Sequence, residues 1–347
     1  MTTPFCKLLD VDQYEPCRWD FATDREACEY FVLFFREQYD RTLALAVALE
    51  SADYALQRAD ACRREFNAFL DELLASPEKY PSPCILTVDY VRDGILRKAG
   101  FHDPYLAVKQ RDNAQAIKLL AEICRELDNL AESDRLHAVI AGALAGNIFD
   151  MGVAATAQRM LQASLCFVHT RDSLPARPWL VDDFDALRRR FSTGRPHRKA
   201  VVFVDNAGSD FVLGMLPLAR YLAQRGTEVL LVGNELPSLN DMTVHDIRTL
   251  WDQVVAIEPS FGTLPIRPIS SGTGEPLIDL RRTSTQLNLA AADADLVILE
   301  GMGRAIESNY LARFNCDVLK IAMIKDQLVA DRFGGKLYDV VCRFEPA

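Results

Sequence analysis

The sequence predicts an α/β fold in which a mainly parallel, doubly wound sheet follows an all-α helical region. Three observations lead to this prediction. The first half of the 347 residues shows apolar side chains at helical spacing. From about residue 199, short apolar runs alternate with helical patterns, which is typical of βαβ units. A basic stretch at 188–199 separates the two patterns, so we expect a helical region and linker over 1–195 and an α/β domain over 196–347.

The individual elements follow from the same periodicities. In the helical half we expect one helix around Tyr30 to Tyr39, a second around Phe66 to Leu73 and a third over 114–130, with a break at Pro81 and Pro83. In the second half we expect strands at 200–204, 228–232, 265–269, 294–299, 317–323 and 338–343, and helices at 210–224, 243–256, 284–292 and 325–333. The helix over 210–224 has a candidate N-cap in Ser209 or Asp210. Strands and helices that alternate in this way favour a parallel sheet covered on both faces.

Composition limits the classes of function. Hydrophobic residues make up 49% of the chain and charged residues 25%, which suits a well-formed core. The net charge of −10 and a pI near 5.1 argue against a nucleic-acid binder. We expect no membrane span, since no apolar run approaches about 18 residues, and no signal peptide. Nine cysteines without a CxxC pair suit a reducing cytoplasm and mostly buried thiols. The cations of 188–199 suggest either an anion site or, as we prefer, a solvated connector.

Polar side chains follow two neighbouring predicted strands and precede the next helix. Asp205 and Asn206 come directly after the run 201–204, Asn234 follows the next strand, and Asp241 stands before a helix. Carboxyl ends of parallel strands meet at one edge of a sheet, where ligands bind. Hard oxygen ligands beside helix N-termini suit a divalent cation together with a phosphate. Each residue taken alone also suits a turn or a helix cap, but their repetition favours a site.

A second group of candidate residues follows the strand predicted at 294–299. The segment from Glu300 to Arg304 has glycines at 301 and 303, which let backbone amides approach an anion, and Arg304 offers a bidentate fork to phosphate. Glu300 is placed to bind a metal through water, to orient Arg304 or to act as a general base. Lys325 stands at the start of the next predicted helix. A plain tight turn remains the alternative for Gly301 and Gly303, and the P-loop pattern is absent.

These motifs resemble those of the metal-dependent damage-control phosphatases, and most closely their second subfamily, whose domain occurs alone or fused behind a pantothenate-kinase-like module. The resemblance covers about residues 85–347. The residues that show it are Asp205-Asn206-Ala207-Gly208, Gly226-Thr227, Asn234, Pro237 with Leu239-Asn240-Asp241-Met242-Thr243, Glu300-Gly301-Met302-Gly303-Arg304, Lys320 with Ile324-Lys325, Asp103-Pro104-Tyr105 with Lys109 and Asn113, and Gly142-x-x-x-Gly146-Asn147-x-x-Asp150. No kinase module is visible in the chain, so we expect the phosphatase to stand alone.

The resemblance implies a metal-dependent phosphomonoesterase that acts on 4′-phosphopantetheine and its oxidised or damaged forms. It implies a divalent cation, manganese, cobalt, nickel or magnesium, held by Asp205, Asn206 and Asp241. We assign catalysis to Asp205, Glu300, Arg304 and Lys325, and substrate or phosphate binding to Asn234, Gly301, Gly303, Asn147 and Asp150. We expect the helical half to present Asn147 and Asp150 to the organic part of the substrate, in a cleft between the two halves. Met151 and Glu307 depart from the family pattern, which leaves the substrate preference open.

Two mechanisms and three other functions remain open at this stage. A metal-activated water attacks phosphorus, or Asp205 attacks and forms an aspartyl-phosphate; a carboxylate that already binds metal is a poorer nucleophile, which favours water. The other functions are a sugar-phosphate phosphatase of the same family, a nucleotide- or S-adenosylmethionine-dependent transferase, and a non-catalytic metabolite-binding protein. The transferase lacks an acidic ribose-binding residue at the expected offset. A small phosphate ester is the expected partner in the leading interpretation.

Overall fold

The computed structural model describes residues 2–50, 53–148 and 163–347. Its α-helices are α1 (Arg25–Ala48), α2 (Asp53–Ala75), α3 (Ile85–Lys98), α4 (Leu106–Asp128), α5 (Glu132–Ile148), α6 (Ala163–Asp172), α7 (Phe184–Thr193), α8 (Leu216–Gln224), α9 (Val244–Ile257), α10 (Thr285–Ala291) and α11 (Gln327–Arg332). Two segments are π-helical, Asp210–Met215 (the 210 segment) and Met302–Ser308 (the 302 segment). The strands are β1 (Thr2–Thr3), β2 (Val181–Asp182), β3 (Lys199–Phe203), β4 (Glu228–Gly233), β5 (Ile266–Ser270), β6 (Thr283–Ser284), β7 (Leu296–Glu300), β8 (Asp317–Met323) and β9 (Val340–Glu345).

Seven strands form the central sheet, in the order β2-β9-β8-β7-β3-β4-β5. All neighbours are parallel except β8 and β9, which are antiparallel. The predicted mainly parallel sheet is therefore confirmed, and each of the six predicted strands lies within two residues of an observed one. The additional strands β1, β2 and β6 have two residues each, which is too short to leave a periodic pattern in the sequence.

The sheet is buried on both faces, and alternate residues of each strand belong to different cores. Val201 and Phe203 of β3 pack in a hydrophobic cluster with residues of α1, α2 and α3. Ala200 and Val202 of the same strand pack in a second cluster with residues of α4, α5 and α8. Successive side chains of a strand point to opposite faces. Helices of the first half thus cover both faces of the sheet.

The helical half and the sheet share these two cores. The chain start also joins the second half, because β1 pairs with β6 and Phe5 lies edge-on to Phe203, with ring centroids 5.6 Å apart. The division at residues 195 and 196 stays a prediction. The basic stretch 188–199 contains the end of α7 and a short connector into β3, and Arg190 in it pairs with Asp317 at 2.7 Å.

The topology places several chain segments at one point of the sheet edge. Strand β3 lies between β4 and β7. The chain passes from β3 to β4 and β5 on one side, and then returns to β7 on the other side of β3, so the strand order reverses at β3. Such a switch point forms a crevice at the carboxyl ends of the strands, where ligands bind in open α/β sheets.

No helix within the described residues is long and apolar enough to cross a membrane. The cysteines whose side chains are described are free thiols and mostly buried.

Candidate active site

The loop after β4 returns to the end of β3 and brings the predicted polar residues together. Met242 donates its backbone N–H to the carbonyl of Asp205 at 2.9 Å, and Asn234 donates its own to the carbonyl of Met242 at 2.9 Å. Asn206 and Asp241 form an isolated antiparallel bridge. These backbone contacts place Asp205, Asn206, Asn234 and Asp241 at one edge, and all four are buried. Their proximity agrees with the sequence analysis, whereas their functional roles remain predictions.

Three buried carboxylates form a cluster at this edge (the acidic cluster: Asp205, Asp210 and Glu300). One oxygen from each lies within 4.8 Å of the others. The amide nitrogen of Asn206 donates to Asp205 Oδ2 and Asp210 Oδ2, each at 3.0 Å. The amide nitrogen of Asn147 donates to Glu300 Oε1 at 2.7 Å and Asp210 Oδ2 at 3.1 Å, and lies 3.3 Å from Asp205 Oδ2. Two neutral amides therefore bridge three acidic groups.

Asp210 is the member of the acidic cluster that the sequence analysis missed. The sequence predicts it as an alternative to Ser209 for the N-cap of an α-helix. Instead it begins the π-helical 210 segment, and its carboxylate accepts a hydrogen bond from the backbone N–H of Asn206 at 3.2 Å. π-Helical turns are frequent at functional sites. The available signal was a second acidic residue five positions after Asp205, one π-turn along the chain.

Burial shifts the pKa values of two carboxyl groups in the acidic cluster. Burial raises the pKa of Glu300 well above its usual value, and the nearby charge of Asp210 raises it further. Burial also raises the pKa of Asp210, although Lys325 and the two amides oppose that effect. A buried carboxylate is costly unless it is paired. The acidic cluster therefore favours the uptake of a proton or a cation.

Arg304 lies fully buried in the 302 segment, between the acidic cluster and Asp241. Its guanidinium forms ion pairs with Asp205 and with Asp241, the latter at 2.7 Å, and donates to Asn234 Oδ1 at 3.3 Å. Burial lowers the pKa of Arg304 to about 9, which leaves it charged at neutral pH. The predicted fork thus contacts two carboxylates in this arrangement, while Nε has no hydrogen-bond partner among the described residues.

Gly301 is required for a reason that differs from the predicted one. Its φ is +97°, and a Cβ at this position would overlap the carboxylate of Asp205. Its backbone N–H already donates to the carbonyl of Ile321 at 3.0 Å, so it is not available to a phosphate in this geometry. Glycine is needed here because the backbone approaches Asp205 closely in a left-handed conformation. The assignment of Gly303 to phosphate stays a prediction.

The helical half contributes Asn147 to the acidic cluster. The sequence predicts that Asn147 faces the organic part of a substrate. In the structure its amide nitrogen lies among three carboxylates, and its role in substrate binding stays a prediction. The close approach depends on Gly146, where a Cβ would lie 2.8 Å from the Cα of Asp210. Lys325 donates from Nζ to the carbonyl of Asn147 at 2.9 Å and so lies beside the same group. Asp150, the other residue predicted from this half, lies outside the described residues.

The arrangement distinguishes two sets of possible metal ligands. The resemblance implies Asp205, Asn206 and Asp241, whereas the acidic cluster joins Asp205 to Asp210 and Glu300. Asn206 presents its amide nitrogen to the cluster here, and Asp241 is linked to Asp205 through Arg304. Both sets consist of oxygen donors, and Asp205 belongs to each.

Comparison with known proteins gives concordant results. The model of the damage-control phosphatase ARMT1-like domain matches residues 40–341. A damage-control phosphatase of Arabidopsis thaliana is 39% identical, over 83% of this chain and 79% of its own length. A 4′-phosphopantetheine phosphatase of Mus musculus is 32% identical over 97% of this chain and 48% of its own length. A pantothenate kinase 2 of Oryza sativa is 37% identical over 99% of this chain, which spans only 41% of that protein.

The fold itself has a solved counterpart. A crystal structure of a DUF89 family protein from Pyrococcus horikoshii aligns with a TM-score of 0.64 over 90% of this chain and 96% of that one, at 19% sequence identity. This likeness concerns the fold alone. The family match extends over most of the chain and includes both the helical half and the sheet edge described above. The chain belongs to the family of the damage-control phosphatase ARMT1-like domain.

Proposed function

We propose that this chain is a metal-dependent phosphomonoesterase that acts on 4′-phosphopantetheine and its oxidised or damaged forms. The observation on which the proposal rests is the juxtaposition of a buried acidic cluster with Arg304 and Lys325 at the carboxyl edge of the sheet. Such a site combines hard oxygen ligands with the cations that a phosphate dianion needs. The names of the Arabidopsis and mouse relatives support the reaction and the substrate class.

The residues present fit a divalent cation. Asp210 Oδ1 and Asn147 Oδ1 are buried and have no hydrogen-bond partner among the described residues. Asp205, Asp210 and Glu300 would hold the ion, with Asp241 and Asn206 as the further ligands implied by the resemblance. All are oxygen donors of the kind that magnesium and manganese prefer. When bound, the ion would neutralise phosphoryl oxygens and lower the pKa of a coordinated water.

The protein's own cations complete the phosphate site. Arg304 carries a planar fork that suits two phosphoryl oxygens. Its terminal nitrogens pair with Asp205 and Asp241 in this arrangement, so binding of the ion by those carboxylates would release the fork to the phosphate. Lys325 provides a point charge beside Asn147. Because the acidic groups outnumber these two cations, Arg304 and Lys325 stabilise the added negative charge of the substrate only together with the bound ion.

Water is the nucleophile that the geometry of Asp205 supports. Oδ1 of Asp205 is paired with Arg304, and Oδ2 accepts from Asn206 at 3.0 Å. Glu300 Oε2 further fixes this residue by accepting the backbone N–H of Asp205 at 3.1 Å. A carboxylate that pairs with Arg304 and would also bind the ion is a poorer nucleophile than a metal-activated water. We therefore favour direct attack by water over an aspartyl-phosphate.

Hydrolysis of p-nitrophenyl phosphate by chelator-treated protein tests the reaction. We expect no turnover until manganese, cobalt, nickel or magnesium is added. Asp205→Asn should reduce kcat by roughly a hundredfold or more, because a ligand common to both candidate sets is lost. Asp210→Asn and Asp241→Asn separate the two sets when the Kd of the ion is measured for each variant, because loss of a ligand weakens metal binding whereas loss of the pair with Arg304 alone does not.

A matched control lies at the opposite edge of the sheet. Asp317 is 7% exposed, as is Asp205, and begins β8 rather than following a strand. Asp317→Asn makes the same chemical change and should retain turnover below its unfolding temperature. Turnover without metal, or wild-type kcat in Asp205→Asn, would refute the proposed site.

Comparison of kcat/KM for 4′-phosphopantetheine, its S-oxidised forms and small sugar phosphates then tests the substrate class. Equal values would exclude a preference for phosphopantetheine.

A further inference from the structure

The buried face of α4 begins with polar side chains and continues with apolar ones. Lys109 and Asn113 are 1% and 7% exposed, and Ala116, Ile117 and Leu120 follow them along the same stripe of the helix. A polar side chain in the interior opposes folding unless it finds hydrogen-bond partners. The partners of these two side chains therefore indicate what the first turns of α4 do.

Asn113 bridges the two segments that carry the predicted metal ligands. Its Oδ1 accepts the backbone N–H of Gly208 at 2.7 Å, in the turn that follows β3. Its Nδ2 donates to the sulfur of Met242 at 3.7 Å, in the loop that follows β4. Asn206 lies two residues before the first contact, and Asp241 lies one residue before the second. One buried side chain thus contacts both strand-end segments of the proposed site.

The contact with Gly208 also bears on the acidic cluster. Gly208 has a φ of +81°, and its carbonyl accepts the backbone N–H of Val212 in the 210 segment at 2.9 Å. The turn at this glycine therefore determines how the chain enters the π-helical segment that carries Asp210. A Cβ on Gly208 would lie 3.0 Å from Asp112 Cβ, so α4 packs closely on the turn. The contact made by Asn113 consequently concerns both candidate sets of metal ligands.

Lys109, one turn earlier on α4, contacts the same loop where it enters the next helix. Its Nζ pairs with Asp246 at 2.7 Å and with Asp103 at 2.9 Å. Asp246 also accepts the backbone N–H of Thr243 at 3.0 Å, in the capping box that begins α9. Both polar side chains of this face of α4 thus contact the segment from which α9 begins.

We propose that Asn113 is a positioning residue of the metal site, which keeps the turn after β3 and the loop after β4 in register so that their oxygen donors meet at one ion. The inference rests on the proposed function, because it concerns the same ion. An apolar side chain of similar size would pack in this place but would remove the acceptor of the Gly208 N–H. Groups that orient metal ligands contribute strongly to metal affinity without contacting the ion. Asn113 therefore acts on the affinity of the site through the two segments that it joins.

Titration of chelator-treated protein with manganese tests this role. Asn113→Leu keeps the approximate volume and removes both contacts, so the Kd of manganese should rise about ten- to a hundredfold. Asn113→Asp keeps an oxygen that accepts the N–H of Gly208, and its added negative charge does not weaken the binding of a cation. Its Kd should therefore be no more than about threefold above that of wild type. This difference would identify the accepting oxygen as the group responsible.

Thr227→Val provides the matched control. Thr227 is 2% exposed, and its Oγ1 donates to the carbonyl of His197 at 2.7 Å, just before β4 and thus at the opposite end of the sheet. This variant and Asn113→Leu each lose a buried hydrogen bond of 2.7 Å between a side chain and the backbone. Both should lower the urea midpoint of the metal-free protein, but only Asn113→Leu should weaken manganese binding.

Amide hydrogen exchange gives a second measurement that needs no metal. In metal-free protein the amide of Gly208 should exchange faster in Asn113→Leu than in wild type or in Asn113→Asp. Unchanged exchange, a wild-type Kd in Asn113→Leu, or equal weakening in both Asn113 variants would overturn the positioning role. If wild type still binds manganese and hydrolyses p-nitrophenyl phosphate in that case, the proposed function stands. If wild type binds no divalent cation, the proposed function itself is wrong, and the role of Asn113 at the ion is wrong with it.

Discussion

Gly301 shows how the site depends on a single missing methyl group. Its φ of +97° and its contact with the carboxylate of Asp205 are two separate requirements for glycine. Gly226 shares only the first, since its φ is +90° and nothing lies within 4 Å of a Cβ built on it. The two positions therefore separate backbone strain from displacement of Asp205.

We predict that Gly301→Ala and Gly226→Ala differ in activity more than in strain. Both should lose about 1–2 kcal/mol of unfolding free energy from the left-handed conformation. Gly301→Ala should also displace Asp205 and reduce metal-dependent kcat at least about tenfold, whereas Gly226→Ala should turn over as wild type. Urea unfolding and p-nitrophenyl phosphate hydrolysis measure the two effects. Equal kcat in the two variants would show that Asp205 tolerates the displacement.

The backbones of two helical elements, α5 and the 210 segment, pack directly against each other. A Cβ on Gly146 would lie 2.8 Å from Asp210 Cα, while a Cβ on Gly142 would lie 3.7 Å from the carbonyl of Leu213, an ordinary contact. Of the two glycines in the Gly142-x-x-x-Gly146 motif, only Gly146 is thus in a contact too close for a Cβ. Only Gly146 sets the distance between α5 and a member of the acidic cluster.

The two glycines of α5 give the next prediction. Alanine favours a helix over glycine at both positions, so the difference between the variants isolates the steric contact. Gly146→Ala should lose about 1–3 kcal/mol of unfolding free energy by overpacking and lower kcat, because Asp210 and Asn147 move apart. Gly142→Ala should match or slightly exceed wild-type stability. Urea unfolding of both variants checks the difference; indistinguishable midpoints would contradict the close packing.

Strand positions could be predicted from the sequence because each buried parallel strand is a short apolar run between polar turns. The range predicted for β8 coincides with Asp317–Met323. The meeting of Asp205, Asn234 and Asp241 was also predictable, since parallel strands bring their carboxyl ends to one edge. The roles assigned to these residues remain predictions that the proposed assays address.

Other features were not predictable, for identifiable physical reasons. Phe211 and Met215 are buried at α-helical spacing, so periodicity did not reveal the π-helical turn that directs Asp210 into the cluster. The pairing of β1 with β6 joins residues some 280 positions apart through two residues each. The ion pairs of Arg304 likewise depend on tertiary packing, which no local pattern encodes.

At the scale of the whole molecule, the two ends of the sheet hold different ionisable groups. His197 lies at the end opposite the proposed site, is 3% exposed, and its Nε2 is 2.8 Å from Asp317 Oδ2. Burial lowers the pKa of His197 below 6.5, although Asp317 opposes the shift. Burial opposes the fall in the pKa of Asp317, but hydrogen bonds from His197 and the backbone of Ala347 lower it overall.

These shifts predict acid sensitivity that does not involve the active site. Below about pH 6.5 the unfolded chain protonates this histidine before the folded chain does, so the free energy of unfolding falls as pH decreases towards the folded pKa. The contribution of Asp317 is lost only at lower pH, through its own depressed folded pKa. Urea unfolding at pH 7.5 and 5.5 should show a smaller decrease for His197→Gln than for wild type. An identical decrease would rule out His197 as the group responsible.

Under the proposed function, the acidic cluster would also affect how long the protein persists in a cell. Three carboxylates gathered in the interior oppose folding, and under the proposed function a divalent cation binds only the folded form. A ligand at a hundredfold excess over its Kd stabilises a folded protein by about 2.7 kcal/mol. The unfolded fraction, on which proteases act, would decrease by a corresponding factor. Cellular abundance of the protein would then follow the supply of its metal, independently of how fast its gene is expressed.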